Sequence, residues 1–316
     1  MNEPDVMVYL MTGFLDSGKT GFLKFTLKQD YFQIDGKTLL ILCEDGEDEY
    51  DAMEMLRYGV VIERLEDREE LTEEYLAELD RKHEPDRVVI EYNGMWKVSD
   101  FENMKLPKGW GIEQKITTVD ASTFQTYLTN LKPLFVEMVR GAEMVLFNRC
   151  EDIKPLAGYR RSVKVVSPQA EVIFEDEQGE VENIFEDDVP YDLDAPVIEI
   201  PREDYGIWYV DMMENPARYR GKVIEITAKV LKPSGFPSKV FLPGRMAMTC
   251  CADDVQYMGF LCKADDWAPY KNQEYVTVVA RLEFKYMKEY GEEGPVFYAE
   301  SVEKAQKPKE ELVYFN

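Results

Sequence analysis

The chain of 316 residues is long enough for two domains that each bury a core of their own. Its apolar content of 45% and aromatic content of 12% are typical of a globular protein and exclude a wholly disordered chain. The formal net charge of -25 at pH 7 disfavours binding to nucleic acid or anionic lipid, but it is compatible with binding of metal ions.

The sequence predicts neither an export signal nor a membrane span. The first apolar run, at 6–12, has no Lys or Arg before it and is far too short to cross a bilayer. Five cysteines scattered over the chain do not resemble a disulfide framework. We therefore expect a cytoplasmic protein that does not insert directly into a membrane.

Strands and helices are predicted to alternate through the first half of the sequence. Short apolar runs indicate strands, and amphipathic stretches between them indicate helices. The alternation predicts an α/β fold, a mostly parallel sheet with helices on both faces. The predicted strands are 6–12, 38–43, 87–91, 116–119, 144–147 and 163–166, and the predicted helices are 20–28, 68–82 and 122–140.

The second half has a different pattern. Residues 171–194 are rich in acids, which predicts an edge strand or hairpin followed by a solvated linker. A predicted helix at 207–219 then precedes about five β runs, which indicates a small OB-like β-barrel. We expect no nucleic acid partner, because no basic face studded with aromatic residues is evident. The predicted strands are 222–231, 239–242 with 246–249, 257–262, 275–286 and 296–301.

The strongest functional signal is GFLDSGKT at 13–20, which matches the phosphate-loop pattern G-x-x-x-x-G-K-[ST] in full. The motif lies between an apolar strand and a helix, so its N–H groups and the helix N-terminus can bind phosphate. Lys19 should reach the β- and γ-phosphates, and the Thr20 hydroxyl should ligate Mg²⁺. The predicted nucleotide-binding residues of this loop are Gly13, Asp16, Ser17, Gly18, Lys19 and Thr20.

A second element is the run RVVIEYNG at 87–94. Glu91, at the predicted strand end, can hold Mg²⁺ through water or orient the attacking water, and Gly94 can donate its N–H to the γ-phosphate. A solvent-facing acid is the alternative. The acidic loop CEDGEDEYD at 43–51 indicates a metal-linked switch segment or, alternatively, a solvated loop.

A third element, NRCE at 148–151, resembles the guanine-reading N-K-x-D motif. In that motif a carboxylate accepts hydrogen bonds from guanine N1–H and N2–H₂, which adenine cannot supply. Here Arg149 replaces Lys and Glu151 replaces Asp. We expect Asn148, Arg149 and Glu151 to contact the base and to favour GTP over ATP.

Together these elements resemble the CobW-type branch of the CobW/HypB/UreG group of metal-handling GTPases. The branch's G-F-L-G-[SA]-G-K-T loop is similar to 13–20, and its N-E-F-G-E switch segment is similar to 43–47. Its E-x-x-G element is matched at 91–94 and its V-D-A element at 119–121. The resemblance implies a P-loop GTP hydrolase that depends on Mg²⁺. It implies catalytic roles for Lys19, Glu91, Gly94 and Glu47, and Mg²⁺ ligation by Thr20, Glu44 and Glu91.

The chain departs from this branch in its cysteines. The branch carries a C-x-C-C metal motif between its switch segment and E-x-x-G, whereas this chain has no cysteine between Cys43 and Cys150. A metal site in the first half would therefore need other ligands.

The C-terminal part carries a second resemblance. MTCCADD, at 248–254, resembles a motif of YcgQ-like proteins that accompany a predicted permease. Cys250, Cys251 and Cys262, with acids nearby, form a candidate Zn²⁺ site. Small core residues are the alternative, because adjacent side chains of a strand point to opposite faces.

We interpret the chain as a GTP-hydrolysing switch of the metallochaperone class that binds GTP and GDP and handles zinc or another transition metal for a client protein. The alternative is a GTP-binding regulatory adaptor that docks on a membrane permease without metal transfer. The predicted domains are a P-loop GTPase domain at 1–175, an acidic linker at 176–203, an OB-like β domain at 204–306 and a C-terminal tail at 307–316.

Overall fold

The computed structural model divides the chain into two compact units. The first, the N-terminal unit, comprises Met1–Leu156 and Val166–Ile184, and the second, the barrel unit, comprises Ala157–Val165 and Phe185–Asn316. No helix in the described part is both long and apolar enough to span a membrane. The described residues are 4–46, 48–151, 153, 155–181, 184, 189–237, 239–248, 254–264 and 270–313.

An eight-stranded sheet forms the centre of the N-terminal unit. Its strands are β1 (Val6–Thr12), β2 (Thr38–Leu42), β3 (Val60–Arg64), β4 (Arg87–Glu91), β5 (Trp110–Asp120), β6 (Met144–Asn148), β7 (Glu171–Asp176) and β8 (Gly179–Glu180). The order is β3-β2-β4-β1-β5-β6-β7-β8. Neighbours from β3 to β7 pair in parallel, and β8 forms an antiparallel hairpin with β7 at the edge. Every residue of β2 and β4 is buried, which fits the apolar centres of both strands and includes the charged ends of β4, Arg87 and Glu91.

Helices connect most of these strands, and local signals set where they begin. The Asp51 carboxylate accepts hydrogen bonds from the first N–H groups of α2, and the Thr72 hydroxyl accepts one from the first turn of α3. The helices are α1 (Lys19–Thr26), α2 (Ala52–Leu56), α3 (Glu73–His83), α4 (Val98–Glu102), α5 (Phe124–Asn130), α6 (Lys132–Val139), α7 (Leu156–Lys164) and α8 (Tyr205–Glu214), with 3-10 turns at Asp30–Phe32, Arg68–Glu70 and Pro216–Arg218.

A five-stranded barrel forms the barrel unit. Its strands are β10 (Val223–Leu231), β11 (Val240–Met248), β13 (Leu261–Lys263), β14 (Tyr275–Met287) and β15 (Glu292–Lys304), with β9 (Ile198–Glu199), β12 (Val255–Gly259) and β16 (Leu312–Val313) beside them. The ring closes in the order β10-β11-β13-β15-β14-β10. Residues of β10 alternate between buried and partly exposed, and the indole of Trp208 in α8 is fully buried in the same core.

The predicted fold class is confirmed: a parallel-sheet P-loop architecture is joined to an OB-like barrel. The prediction omits β3 (Val60–Arg64), and two of its elements are wrong. The strand predicted at 163–166 is the end of α7 and the turn after it, because Leu156, Tyr159 and Val163 are buried at helical spacing. The helix predicted at 122–140 is divided into α5 and α6, with Pro133 in the first turn of α6.

Candidate functional site

A cavity of about 320 Å³ lies at the carboxyl ends of β1, β2 and β4. Carboxyl ends of parallel strands share one edge of a sheet, so loops that are distant in sequence meet here. The cavity is lined by Leu15, Asp16, Gly18, Lys19, Thr20, Glu44, Gly46, Asp48, Glu91 and Arg149. The first half of the chain therefore brings its phosphate loop, acidic loop and Glu91 to one place.

The phosphate loop joins β1 to α1. Gly18, just before the helix, has φ 95°, and a Cβ there would lie 2.4 Å from the Asn148 Nδ2 atom. Only glycine suits this conformation and this space. Among the described residues no side chain caps the N-terminus of α1, so its N–H groups and positive dipole end remain available to an anion.

Lys19 is buried inside the loop, with 3% of its surface exposed. Its Nζ donates to the carbonyl oxygens of Gly13 and Phe14, both at 2.8 Å. It also forms an ion pair with Glu44 Oε1. The other carboxylate oxygen of Glu44 accepts the Gly94 N–H at 3.1 Å. The lysine and the glycine predicted to bind the terminal phosphate therefore hold the same carboxylate.

A buried hydroxyl–carboxylate pair lies beside Lys19. Thr20 Oγ1 donates to Glu91 Oε1 at 2.6 Å, and the Tyr50 hydroxyl donates to Glu91 Oε2 at 2.5 Å. Burial raises the pKa of the Glu91 carboxyl above its ordinary value, although the hydrogen bonds from Thr20 and Tyr50 and the Lys19 charge act in the opposite direction. Burial therefore destabilises the ionised form of Glu91, and a cation bound beside it would stabilise that form.

The NRCE element meets the phosphate loop from β6. Asn148 Nδ2 donates to the Ser17 carbonyl oxygen at 2.8 Å, and Arg149 donates to the Asp16 carbonyl oxygen at 2.9 Å. Within the described part of the chain, the buried Asn148 Oδ1 has no hydrogen-bond partner. Since buried polar atoms are nearly always paired, this acceptor indicates a ligand or water at the site.

Sequence reasoning gave no individual site role to Tyr50 or Asp120, although Asp120 lies in the V-D-A element at 119–121. Asp120 ends β5 and holds the Arg149 guanidinium at 2.5 Å. Burial raises the pKa of Asp120, but hydrogen bonds from Ser122 and Arg149 outweigh it and hold the pKa below the ordinary value. The signal for Asp120 was its position at the end of a strand adjacent to β6. No comparable signal distinguishes Tyr50 within its acidic loop.

Other predicted site residues lie elsewhere. The Glu151 carboxylate accepts the Glu177 N–H at 2.8 Å, in the hairpin of β7 and β8. Cys262 is fully buried in the barrel core, and burial raises the pKa of its thiol, which disfavours the thiolate that a metal ligand needs. Glu47, Cys250 and Cys251 lie outside the described residues. Among described residues, no group of three or more His, Cys, Asp or Glu could hold a metal ion.

The glycine loop, its buried lysine and the threonine–glutamate pair at the end of a parallel sheet define a P-loop nucleotide-binding protein. The profile of the CobW/HypB/UreG nucleotide-binding domain matches residues 7–174, and the chain belongs to this family. The profile of the DUF1980 C-terminal domain matches residues 177–315. The resemblance noted in the sequence is therefore confirmed.

Solved structures to which this chain is similar include the hydrogenase maturation factor HypB from Archaeoglobus fulgidus, 17% identical, with a TM-score of 0.38 over 55% of this chain and 83% of that one. Zn(II)-bound YjiA GTPase from E. coli is 19% identical, with a TM-score of 0.41 over 85% of this chain and 92% of that one. No protein with a curated description matches the chain. Similarity at this level adds nothing on function.

Proposed function

We propose that the chain is a GTP-hydrolysing switch protein of the metallochaperone class. The observation that carries the proposal is the cavity at the sheet edge, where the phosphate loop meets Glu91, Gly94 and the NRCE element. Family membership supports nucleotide binding. Metal handling rests on the family alone, and a metal-receiving client or a permease remains a prediction.

The phosphate end of a bound nucleotide would meet the loop and the start of α1. Backbone N–H groups and the helix N-terminus would bind the β-phosphate, and Lys19 would neutralise charge on the β- and γ-phosphates. Gly94 would donate its N–H to the γ-phosphate. Such reactions depend on positioning and charge stabilisation, which these buried groups supply.

The donor set suits Mg²⁺. This ion prefers hard oxygen ligands, and the Thr20 hydroxyl and Glu91 carboxylate supply them within 2.6 Å of each other. Thr20 would ligate the ion directly and Glu91 would hold it directly or through water. Bound Mg²⁺ would neutralise developing charge on the phosphates.

The base end would meet Asn148 and Arg149. Their bonds to the Ser17 and Asp16 carbonyl oxygens fix the NRCE element against the phosphate loop. A base seated beyond Asp16 would then lie near Arg149, whose stem can pack on it. To accept hydrogen bonds from guanine, the Glu151 carboxylate would have to give up its hydrogen bond from the Glu177 N–H. The lost bond would offset part of what Glu151 contributes to guanine affinity.

Competition calorimetry with GTP and ATP in the presence of Mg²⁺ tests the proposal. We expect GTP to bind more tightly by about 2–4 kcal/mol, because hydrogen bonds to a charged acceptor are worth about 1.5–3 kcal/mol each and are not additive. Glu151→Gln should remove most of the preference, whereas Glu175→Gln, at an exposed acid of β7, should keep it. Equal affinities for GTP and ATP in the wild type would reject the guanine preference.

The proposed zinc site at Cys250 and Cys251 has a separate test. Zinc titration should show a loss of affinity in the Cys250→Ser/Cys251→Ser variant, and affinity in the wild type should fall as the pH drops, since thiolate ligation releases protons. Cys262→Ala is the matched comparison, because that thiol lies in the barrel core. Unchanged zinc affinity in the double variant would remove the site.

A further inference from the structure

Glu44 occupies the donors that a terminal phosphate requires. It is the second residue after β2, and only 9% of its side chain is exposed. One carboxylate oxygen pairs with Lys19 Nζ, and the other accepts the Gly94 N–H at 3.1 Å. Lys19 Nζ also donates to two carbonyl oxygens, so its three hydrogens all have acceptors.

A carboxylate and a phosphate offer the same chemistry to these donors, because both present anionic oxygens to an ammonium and to backbone N–H groups. The two cannot hold Lys19 and Gly94 at once. A nucleotide without a γ-phosphate can reach Lys19 with its β-phosphate and still leaves Gly94 to Glu44, whereas a γ-phosphate must displace the carboxylate from both. The contact therefore distinguishes nucleoside triphosphates from diphosphates.

We propose that Glu44 is a specificity-determining residue that competes with the γ-phosphate for Lys19 and Gly94. This inference rests on the proposed function and deepens it. The apparent affinity for the triphosphate is then the intrinsic affinity multiplied by the fraction of molecules in which Glu44 has released Lys19 and Gly94. Release moves Glu44, the first acid of the acidic loop, so the terminal phosphate is linked to the position of that loop.

Competition with phosphate and ligation of Mg²⁺ by Glu44 predict opposite changes in nucleotide affinity when the residue is removed. Removal of a magnesium ligand weakens binding of the Mg²⁺–triphosphate complex. Removal of a competitor strengthens it. The structure favours competition, because the Glu44 carboxylate contacts Lys19 and Gly94, while Thr20 and Tyr50 donate to Glu91.

The test is Glu44→Gln in the full-length chain, titrated with a non-hydrolysable GTP analogue and with GDP, both with Mg²⁺. We expect affinity for the analogue to rise about tenfold or more, as loss of a charge-assisted contact allows, and affinity for GDP to change less than about threefold. Glu49→Gln, an exposed acid of the same loop, is the control and should change neither. Glu44→Asp keeps the charge but shortens the reach, and it should give a smaller rise of the same sign.

Weaker binding of the analogue by either Glu44 variant would overturn the proposal in favour of a magnesium ligand. An equal rise for GDP would overturn the specificity for the γ-phosphate. Guanine preference is judged separately, by titration of the same variants with a non-hydrolysable ATP analogue and with ADP. If Glu44 competes with phosphate alone, Glu44→Gln should raise affinity for the ATP analogue, but not for ADP, as it does for the GTP analogue and GDP. Absence of binding of any nucleotide by the wild type would reject both this proposal and the proposed function.

Discussion

Both units bury charged side chains, and one network in each unit shows a different way of satisfying them. In the barrel unit, Asp211 of α8 accepts hydrogen bonds from Asn215 at 2.8 Å, from Arg218 at 2.7 Å and from the Tyr219 hydroxyl. These partners follow Asp211 within eight residues. A local segment thus satisfies its own buried charge.

The charges at the phosphate end come from separate elements. Lys19 begins α1, Glu44 follows β2 and Glu91 ends β4, and all three line one cavity. Glu91 is a buried carboxylate whose hydrogen-bond donors are two hydroxyl groups. A charge network assembled from distant elements around a cavity is suited to a ligand, whereas the Asp211 network is suited to hold the fold.

The largest expected effect is that of Lys19→Ala. Loss of the ammonium should reduce GTP hydrolysis by at least about 100-fold, the scale on which loss of a single transition-state donor acts. The variant leaves Glu44 without its ion-pair partner, so circular dichroism should first show that it is folded at the assay temperature. Lys28→Ala, at a partly exposed ion pair with Glu54, is the control and should hydrolyse GTP normally. Near-normal turnover of GTP by folded Lys19→Ala would contradict the proposed hydrolase activity.

Asp211→Ala tests whether the Asp211 network stabilises the barrel unit. It leaves Arg218 and the Tyr219 hydroxyl without their acceptor, so we expect the barrel unit to lose roughly 2–4 kcal/mol of unfolding free energy. Urea unfolding followed by circular dichroism measures the loss, and Glu203→Ala, at an exposed acid, is the comparison. An unchanged unfolding midpoint would mean that the network does not stabilise the barrel.

For Glu91→Gln without nucleotide we expect a smaller change in stability than for Asp211→Ala, and a gain rather than a loss. The folded-state pKa of Glu91 lies above the ordinary value of 4.5, so its contribution to stability is present at low pH and is lost as pH rises through the folded pKa. Removal of this ionisable group should therefore raise the melting temperature at pH 7 relative to the wild type, with little difference at pH 4. The same variant should lose GTP hydrolysis.

Thermal melts at pH 4 and pH 7 provide the measurement. Glu74→Gln, in the exposed first turn of α3, controls for the general effect of removing one acid from a chain with net charge -25. A lower melting temperature for Glu91→Gln at pH 7 would show that the carboxylate stabilises the empty site. The distinction between the two charge networks would then fail.

The sequence predicted the fold class and the meeting of the phosphate loop with Glu91, because complete motifs and buried parallel strands have a known geometry. The position of Glu44 on Lys19 could not be predicted, since the loop after β2 has many acids and only the folded chain selects one of them. The same holds for Tyr50, whose hydroxyl reaches Glu91 across 41 residues of sequence. The strand β3 was missed because VVIER mixes apolar and charged residues in five positions.

The central claim is that the buried charges at the sheet edge are arranged for the phosphates of a guanine nucleotide. Calorimetric titration of the wild-type chain and of Lys19→Ala with a non-hydrolysable GTP analogue and Mg²⁺ tests it most directly. The account predicts one nucleotide bound per chain by the wild type and binding that is weaker by at least about tenfold in the variant, since a charge-assisted contact is lost. Equal affinity in the two proteins, or no binding by the wild type, would contradict it.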